Sequence, residues 1–217
     1  MSESKTNIIK TDLFNAKLAV NQSPVISVNK NQKIISWGKK NSYPDKLIFW
    51  FNNDAEHGSI CNGKATYVSG KSILSDNPAV NQWLQKANET ESFHDVYIKA
   101  DLDEVISGGY FLKIVSNIAG QPIEFFHIPF AKCRISECLN YVKVCDDWQD
   151  NQCTRYIYPV WQKGVVQPSI FYYKKYSPAA NKLDGIYSKP EYLQATQDID
   201  TDIRISSFGN SLVSKGF

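Results

Sequence analysis

The sequence predicts an α+β protein with helices first, a central antiparallel β meander, and a long helix at the C-terminal end. Three observations predict it. Apolar residues recur at helical spacing between Pro44 and Ile106, strand-like runs take over after Gly108-Gly109, and helical spacing returns beyond Pro190. At 217 residues, with 42% hydrophobic and 13% aromatic side chains, the chain can bury a real core as one domain.

The elements follow in order. Residues 1–33 are rich in Asn, Lys and Ser and read as a flexible arm, with one docked segment around Leu13–Val20. Order is expected to begin at Ile34-Ile35 in a short strand ending at Trp37-Gly38. Pro44 suits a first helical turn, and Leu47, Ile48, Trp50 and Phe51 follow at helical spacing. A second helix is expected from Gly58 to Val68, with Ile60, Ala65 and Val68 inward and Gly70 as terminator. Asn77-Pro78 pairs a cap with a first-turn proline ahead of Trp83 and Leu84. Ser92 with Asp95 resembles a capping box before a helix that reaches Val105-Ile106. Tyr110–Val115 and Ile123–Phe126 then read as strands around a turn at Asn117–Gln121. Shorter strands are expected at Cys133–Ile135, Tyr141–Val144, Arg155–Tyr158 and Val165–Tyr173. With no long helical crossover between them, they form an antiparallel meander. Ser177–Asp184 is a loop. From Pro190 a long helix carries Leu193, Ile199, Ile203 and Leu212 as a partial apolar stripe.

Composition restricts the chemistry. Twenty-four basic and 22 acidic residues give a net charge of +2, too small to argue nucleic-acid binding from bulk electrostatics. A local surplus exists between residues 30 and 74, where seven lysines face three acids. Of these, Lys39, Lys40, Lys64 and Lys71 are the candidate polyanion contacts. Five cysteines without a secretory signal fit reduced thiols, and no run of 18 apolar residues suggests a membrane span.

Motifs that suggest chemistry fall short. Ser69-Gly70-Lys71-Ser72 has Ala65 where a phosphate-binding loop needs glycine, so it reads as a helix end. Asp198, Asp200 and Asp202 lack the glycine and the glutamate of a calcium loop, and on a helix Asp200 points away from the other two. Cys133, Cys138, Cys145 and Cys153 have no Cys-x-x-Cys knuckle for zinc. His57, His94 and His127 stand apart, and the adjacent Asp103 and Glu104 diverge on a helix. The expectation is a protein that binds or assembles, with no enzymatic activity, cofactor or metal.

Three stretches in this order resemble the portal protein family of tailed bacteriophages. The first is Trp37-Gly38-x-x-Asn41-x-Tyr43-Pro44-Asp45-x-Leu47-Ile48, continuing through Asn52-Asn53-x-x-x-His57-Gly58-x-Ile60-x-Asn62-Gly63-Lys64 to Tyr67-Val68-x-Gly70-Lys71. The second is Gly108-Gly109-Tyr110-Phe111 with Ile128-Pro129 and Cys133-Arg134-Ile135. The third is Pro190-x-Tyr192 with Asp198-Ile199, Asp202-Ile203-x-Ile205-Ser206-x-Phe208 and Lys215-Gly216-Phe217. The resemblance covers residues 34–217. It implies a structural subunit of a homo-oligomeric ring at the capsid vertex, where double-stranded DNA passes during packaging and ejection. Capsid and packaging-motor proteins are the implied partners, in the virion and, during assembly, the host cytoplasm. The matched part is similar to the wing of such a ring. Residues 34–187 would be the α+β wing-like domain, and 188–217 a helix leading towards a stem, clip and crown that this chain is expected to lack. A ring needs wide contacts, and aromatic side chains suit them. Trp37, Tyr43, Trp50, Trp161, Tyr172 and Tyr173 are the candidate interface anchors. The alternative is a small nucleic-acid-binding module built on the Lys30–Lys71 region.

Overall fold

The computed structural model describes residues 23–71, 73–150 and 152–215. The expected docked segment at Leu13–Val20 lies outside the described residues.

Order starts earlier than Ile34. Ile26–Asn29 forms strand β1, which pairs antiparallel with β2, Ile34–Trp37. Residues 23–33 are therefore part of the body, since Ile26 is buried against the core and β1 covers one edge of β2. All four β2 residues are buried, which identifies it as a central strand.

A 3-10 turn at Lys39–Asn41 leads into α1, Tyr43–Asn53, with Pro44 in its first turn. Helix α2, Ala55–Ser69, begins three residues before Gly58 because the Asp54 side chain accepts the His57 amide and caps it. Its inward face also differs from expectation. His57, Gly58, Cys61, Ala65 and Ser69 are buried, while Ile60 and Val68 face out. Small residues let α2 lie close against α4, so the bulky ones are displaced to the other side.

Helix α3, Pro78–Leu84, is capped by Asn77, and α4, Phe93–Ser107, by the Ser92–Asp95 box, with both reciprocal bonds made. Gly108 ends α4 at φ +83°, and a Cβ there would lie 2.2 Å from the Lys189 carbonyl oxygen. Only glycine meets both demands, so residues 188–190 pack directly on the helix-to-strand corner.

The strands divide into two sheets instead of one meander. β3, Gly109–Ser116, lies between β4, Pro122–Ile128, and β8, Ser169–Lys174. The other sheet runs β5, Cys133–Ile135, then β6, Tyr141–Val144, and β7, Tyr156–Pro159. All these pairings are antiparallel. Pro129, lacking an amide proton, and the 3-10 turn Phe130–Lys132 interrupt the chain after β4, so β5 starts a new sheet. β8 then returns to β3, and an Ile34–Ser136 bridge joins β2 to β5. A 3-10 turn, Glu191–Ala195, precedes α5, Thr196–Lys215.

The main core gathers Ile35, Trp37, Leu47, Trp50, Phe111, Cys133, Ile170, Tyr187 and Ile199 from β2, α1, β3, β5, β8, the segment before Pro190 and α5. Full burial of one such aliphatic side chain contributes about 1.5–3 kcal/mol. Trp37 stacks on Tyr187 at 4.3 Å, and the Tyr187 hydroxyl donates to Ile35 O and accepts from the Ile135 amide.

Candidate interaction surfaces

Several buried polar groups tie distant parts of the fold together. Arg134 is fully buried on β5. Its Nε donates to Asn41 Oδ1 at 2.6 Å, Nη2 to Asn41 O, and Nη1 to the Ala131 and Cys133 carbonyls. Asn41 meets it from a left-handed backbone, φ +60°, and its Oδ1 also accepts the Trp37 amide. The guanidinium thus closes the turn between β2 and α1 onto β5.

Asp103 and Glu104 diverge on α4 as their adjacency requires. Asp103 Oδ2 lies 2.8 Å from His127 Nε2 and accepts the Phe130 amide, and burial pushes this carboxyl up. The neighbouring Cys133 thiol is buried, and desolvation drives it far above its ordinary value, where it makes a poor nucleophile. Glu104 points instead to the cleft shared by Lys64, Asp101, Lys175 and Glu191. There Glu191 pairs with both Lys64 and Lys175, whose hydrogen bonds lower its carboxyl to about 2.

The cysteines do not gather around an ion. Cys145 and Cys153 are joined in a disulfide, against the expectation of reduced thiols, because the loop between β6 and β7 folds back on itself. Cys133 is buried, and Cys138 stands exposed on the rim of a cleft of about 420 Å³ beside Lys143 and Ile157. Among the described residues no group of His, Cys, Asp or Glu could hold a metal ion. Asp200 leaves its neighbours to accept from Trp50 Nε1 at 2.5 Å, while Asp198 and Asp202 face outward.

The four candidate lysines are not brought into one site. Lys39 and Lys40 stand on the turn before α1, with Lys39 beside a cleft that also takes in Tyr43 and Lys46. Lys64 lies in the middle of α2 with its charge met by Glu191, and Lys71 follows the Gly70 cap.

The aromatic anchors also need correction. Trp37 and Trp50 are core side chains with no surface to offer a neighbour, and Tyr43 shows only a sliver to the cleft beside Lys39. Tyr172 stacks on Phe111 at 4.2 Å and its hydroxyl reaches Ser188, so burial pushes it up to about 12. Trp161, half-buried, packs edge-on against Phe171, and Tyr173 stacks on Tyr110 at 5.0 Å with one face exposed. These last two retain a route to the surface.

Two exposed apolar faces escaped the sequence reading. On α2, Ile60 and Tyr67 are 61% and 89% exposed, with Val68 beside them. On α5, Ile205 and Phe208 are 63% and 66% exposed, followed by Leu212 and Val213. The signal was available as the seven-residue spacings Ile60–Tyr67 and Ile205–Leu212, each of which returns to one side of a helix.

No protein-family model and no curated protein matches this chain. Among solved structures it is similar to a chain in the virion of a native gene transfer agent particle, with a TM-score of 0.60 and 12% identity. That likeness covers 80% of this chain and 46% of the other. A chain in the neck of the native particle, computed with C12 symmetry, gives 0.59 and 12% over 80% and 46%. A chain in the neck of the empty particle, computed with C6 symmetry, gives 0.59 and 11% over 81% and 48%. The shared property is the fold. The chain spans just under half the length of the chains it resembles.

Proposed function

We propose that this protein is a structural subunit of a phage-like particle, forming the wing portion of a portal-type ring in the neck. The observation that carries the reading is the fold likeness over 80% of the chain to a component of a C12-symmetric neck. The order of the portal-like segments from Trp37 to Phe217 points the same way. In this reading the chain supplies shape and contact area without a chemical step of its own, and duplex DNA, capsid and motor proteins are partners of the assembled ring.

The polar interior supports a scaffold. Arg134, Asp103 with His127, and Asp200 with Trp50 each tie distant parts of the chain together. The nucleic-acid module gains little, because Lys64 is already paired and Lys39 and Lys71 occupy different elements.

Light scattering and negative-stain imaging of the purified chain test the proposal. Closed rings of one stoichiometry are the expected result. A chain that stays monomeric and binds duplex DNA with a steep salt dependence, lost in the Lys39→Ala, Lys40→Ala double variant, would replace it with the nucleic-acid reading.

A further inference from the structure

We propose that the loop between β6 and β7 is a redox-operated latch, shut over Arg134 by the Cys145–Cys153 disulfide and released when a small-molecule thiol reduces that bond. The device works within one chain, so it is independent of the assembly reading.

The loop has little of its own to hold it down. Between Cys145 and Cys153 the sequence runs Asp-Asp-Trp-Gln-Asp-Asn-Gln, polar except for one ring. Its described residues form neither helix nor strand. Side chains of this kind belong in water, and the segment gains little by lying against the body. Trp148 is nevertheless buried, in one cluster with Ile34 and Cys145. The bond between the loop's ends, eight positions apart, supplies what the sequence lacks. It removes open conformations from the ensemble that competes with the shut one.

Shut, the loop seals the arginine and grips what the arginine holds. The Trp148 ring centroid lies 5.3 Å from the Arg134 guanidinium carbon. Its Nε1 donates to Lys132 O at 3.0 Å, and the Cys145 amide donates to the same oxygen. Gln149 Nε2 reaches Lys40 O, in the turn before α1 where Arg134 binds Asn41. With the loop lifted, water would reach the guanidinium and compete for its donors, and the turn would be held less firmly.

The two sulfurs are unequally placed. Cys153 is half-buried, whereas Cys145 is fully buried. An incoming thiolate therefore attacks Cys153 Sγ, and the Cys145 sulfur leaves with the electron pair and takes up a proton as the loop lifts. A second thiolate attacks the outer sulfur of the mixed disulfide and frees Cys153, which is protonated in turn. Two small thiols become one small disulfide, the chain gains two thiols, and the reverse exchange shuts the latch. A protein carried from a reducing cytosol into an oxidising exterior would pass from the open form to the shut one.

A series of reduced-to-oxidised glutathione ratios tests the latch on the full chain carrying Cys138→Ser, whose other free thiols, Cys61 and Cys133, are buried. Thiol alkylation read by mass spectrometry should show the Cys145–Cys153 bond opening within the series. Hydrogen exchange should then show protection lost at Cys145 and Trp148, with α4 unchanged. Adding Cys153→Ser leaves the loop permanently untied. That chain should alkylate at Cys145 while Cys133 stays shielded, and should melt roughly 5–10 °C lower. The glutathione arm needs no substitution in the loop, so it decides even where the serine variant fails to fold. A bond that stays fully oxidised or fully reduced at every ratio would overturn the latch. So would a reduced loop whose amides and Cys145 remain as shielded as in the oxidised chain.

Discussion

Around Arg134, apolar rings and the guanidinium itself close on partners within the chain, whereas beyond Ile203 the apolar side chains of α5 are exposed. Trp37 contacts both Tyr187 and Phe130, and the guanidinium spends its donors on four oxygens of Asn41, Ala131 and Cys133. In the distal half of α5, Ile205, Phe208 and Val213 are mostly exposed. Both regions hold residues of the kind that drive burial. The first has buried its apolar surface in folding, whereas the second leaves it in contact with solvent. Stability and assembly should therefore respond to different substitutions.

Removing Arg134 should have the largest effect on the folded chain. Arg134→Met keeps the aliphatic stem but takes the guanidinium donors from three buried carbonyls and leaves the Asn41 side-chain oxygen with the Trp37 amide alone. A loss of about 3 kcal/mol or more in urea denaturation is expected. A loss below about 1 kcal/mol would mean that the turn at residues 38–42 is held by something else. Next comes the junction between the regions. Trp50→Phe removes the donor to Asp200 and part of a buried ring, and should cost about 2 kcal/mol. Its characteristic sign is early loss of amide protection in the first turns of α5 by hydrogen exchange.

Glu191 gives a smaller, pH-dependent effect. Its folded-state carboxyl sits at about 2, below its ordinary 4.5, so the paired carboxylate contributes above pH 4.5 and loses that contribution as pH falls towards 2. The site is half-exposed, so solvent screening keeps the gain under about 1 kcal/mol. Glu191→Gln should lower stability slightly at pH 7 and flatten the acid limb of a Tm-versus-pH profile. An unchanged limb would show that Lys64 and Lys175 do not hold Glu191 in solution. Smallest for the fold is Phe208→Ser, expected within about 0.5 kcal/mol of the parent in the same denaturation. A larger loss would place Phe208 in the core and dissolve the contrast between the two regions.

Much of the local architecture was legible in the sequence. Asn77-Pro78, the Ser92–Asp95 box and the Gly108-Gly109 break all act within a few residues, and each element there lies where those signals put it. What depends on distant contacts was not legible. Arg134 has the composition of a surface residue, and only the fold brings Asn41 to it across 93 positions. The strand runs were visible, but their division into two sheets depends on how the 3-10 turn at Phe130–Lys132 redirects the chain. Apolar character alone points Ile60 and Val68 of α2 inward, but α4 needs the slimmer side with Cys61, Ala65 and Ser69. The opposite shortcut, aromatic side chains read as contact surface, makes Trp37, Tyr43 and Trp50 interface anchors when they fill the core.

The proposed ring subunit has to associate with its own copies. Light scattering over a wide concentration range tests it most directly. The chain should shift from monomer to one large species of fixed mass. A chain that stays monomeric at every concentration would contradict the account.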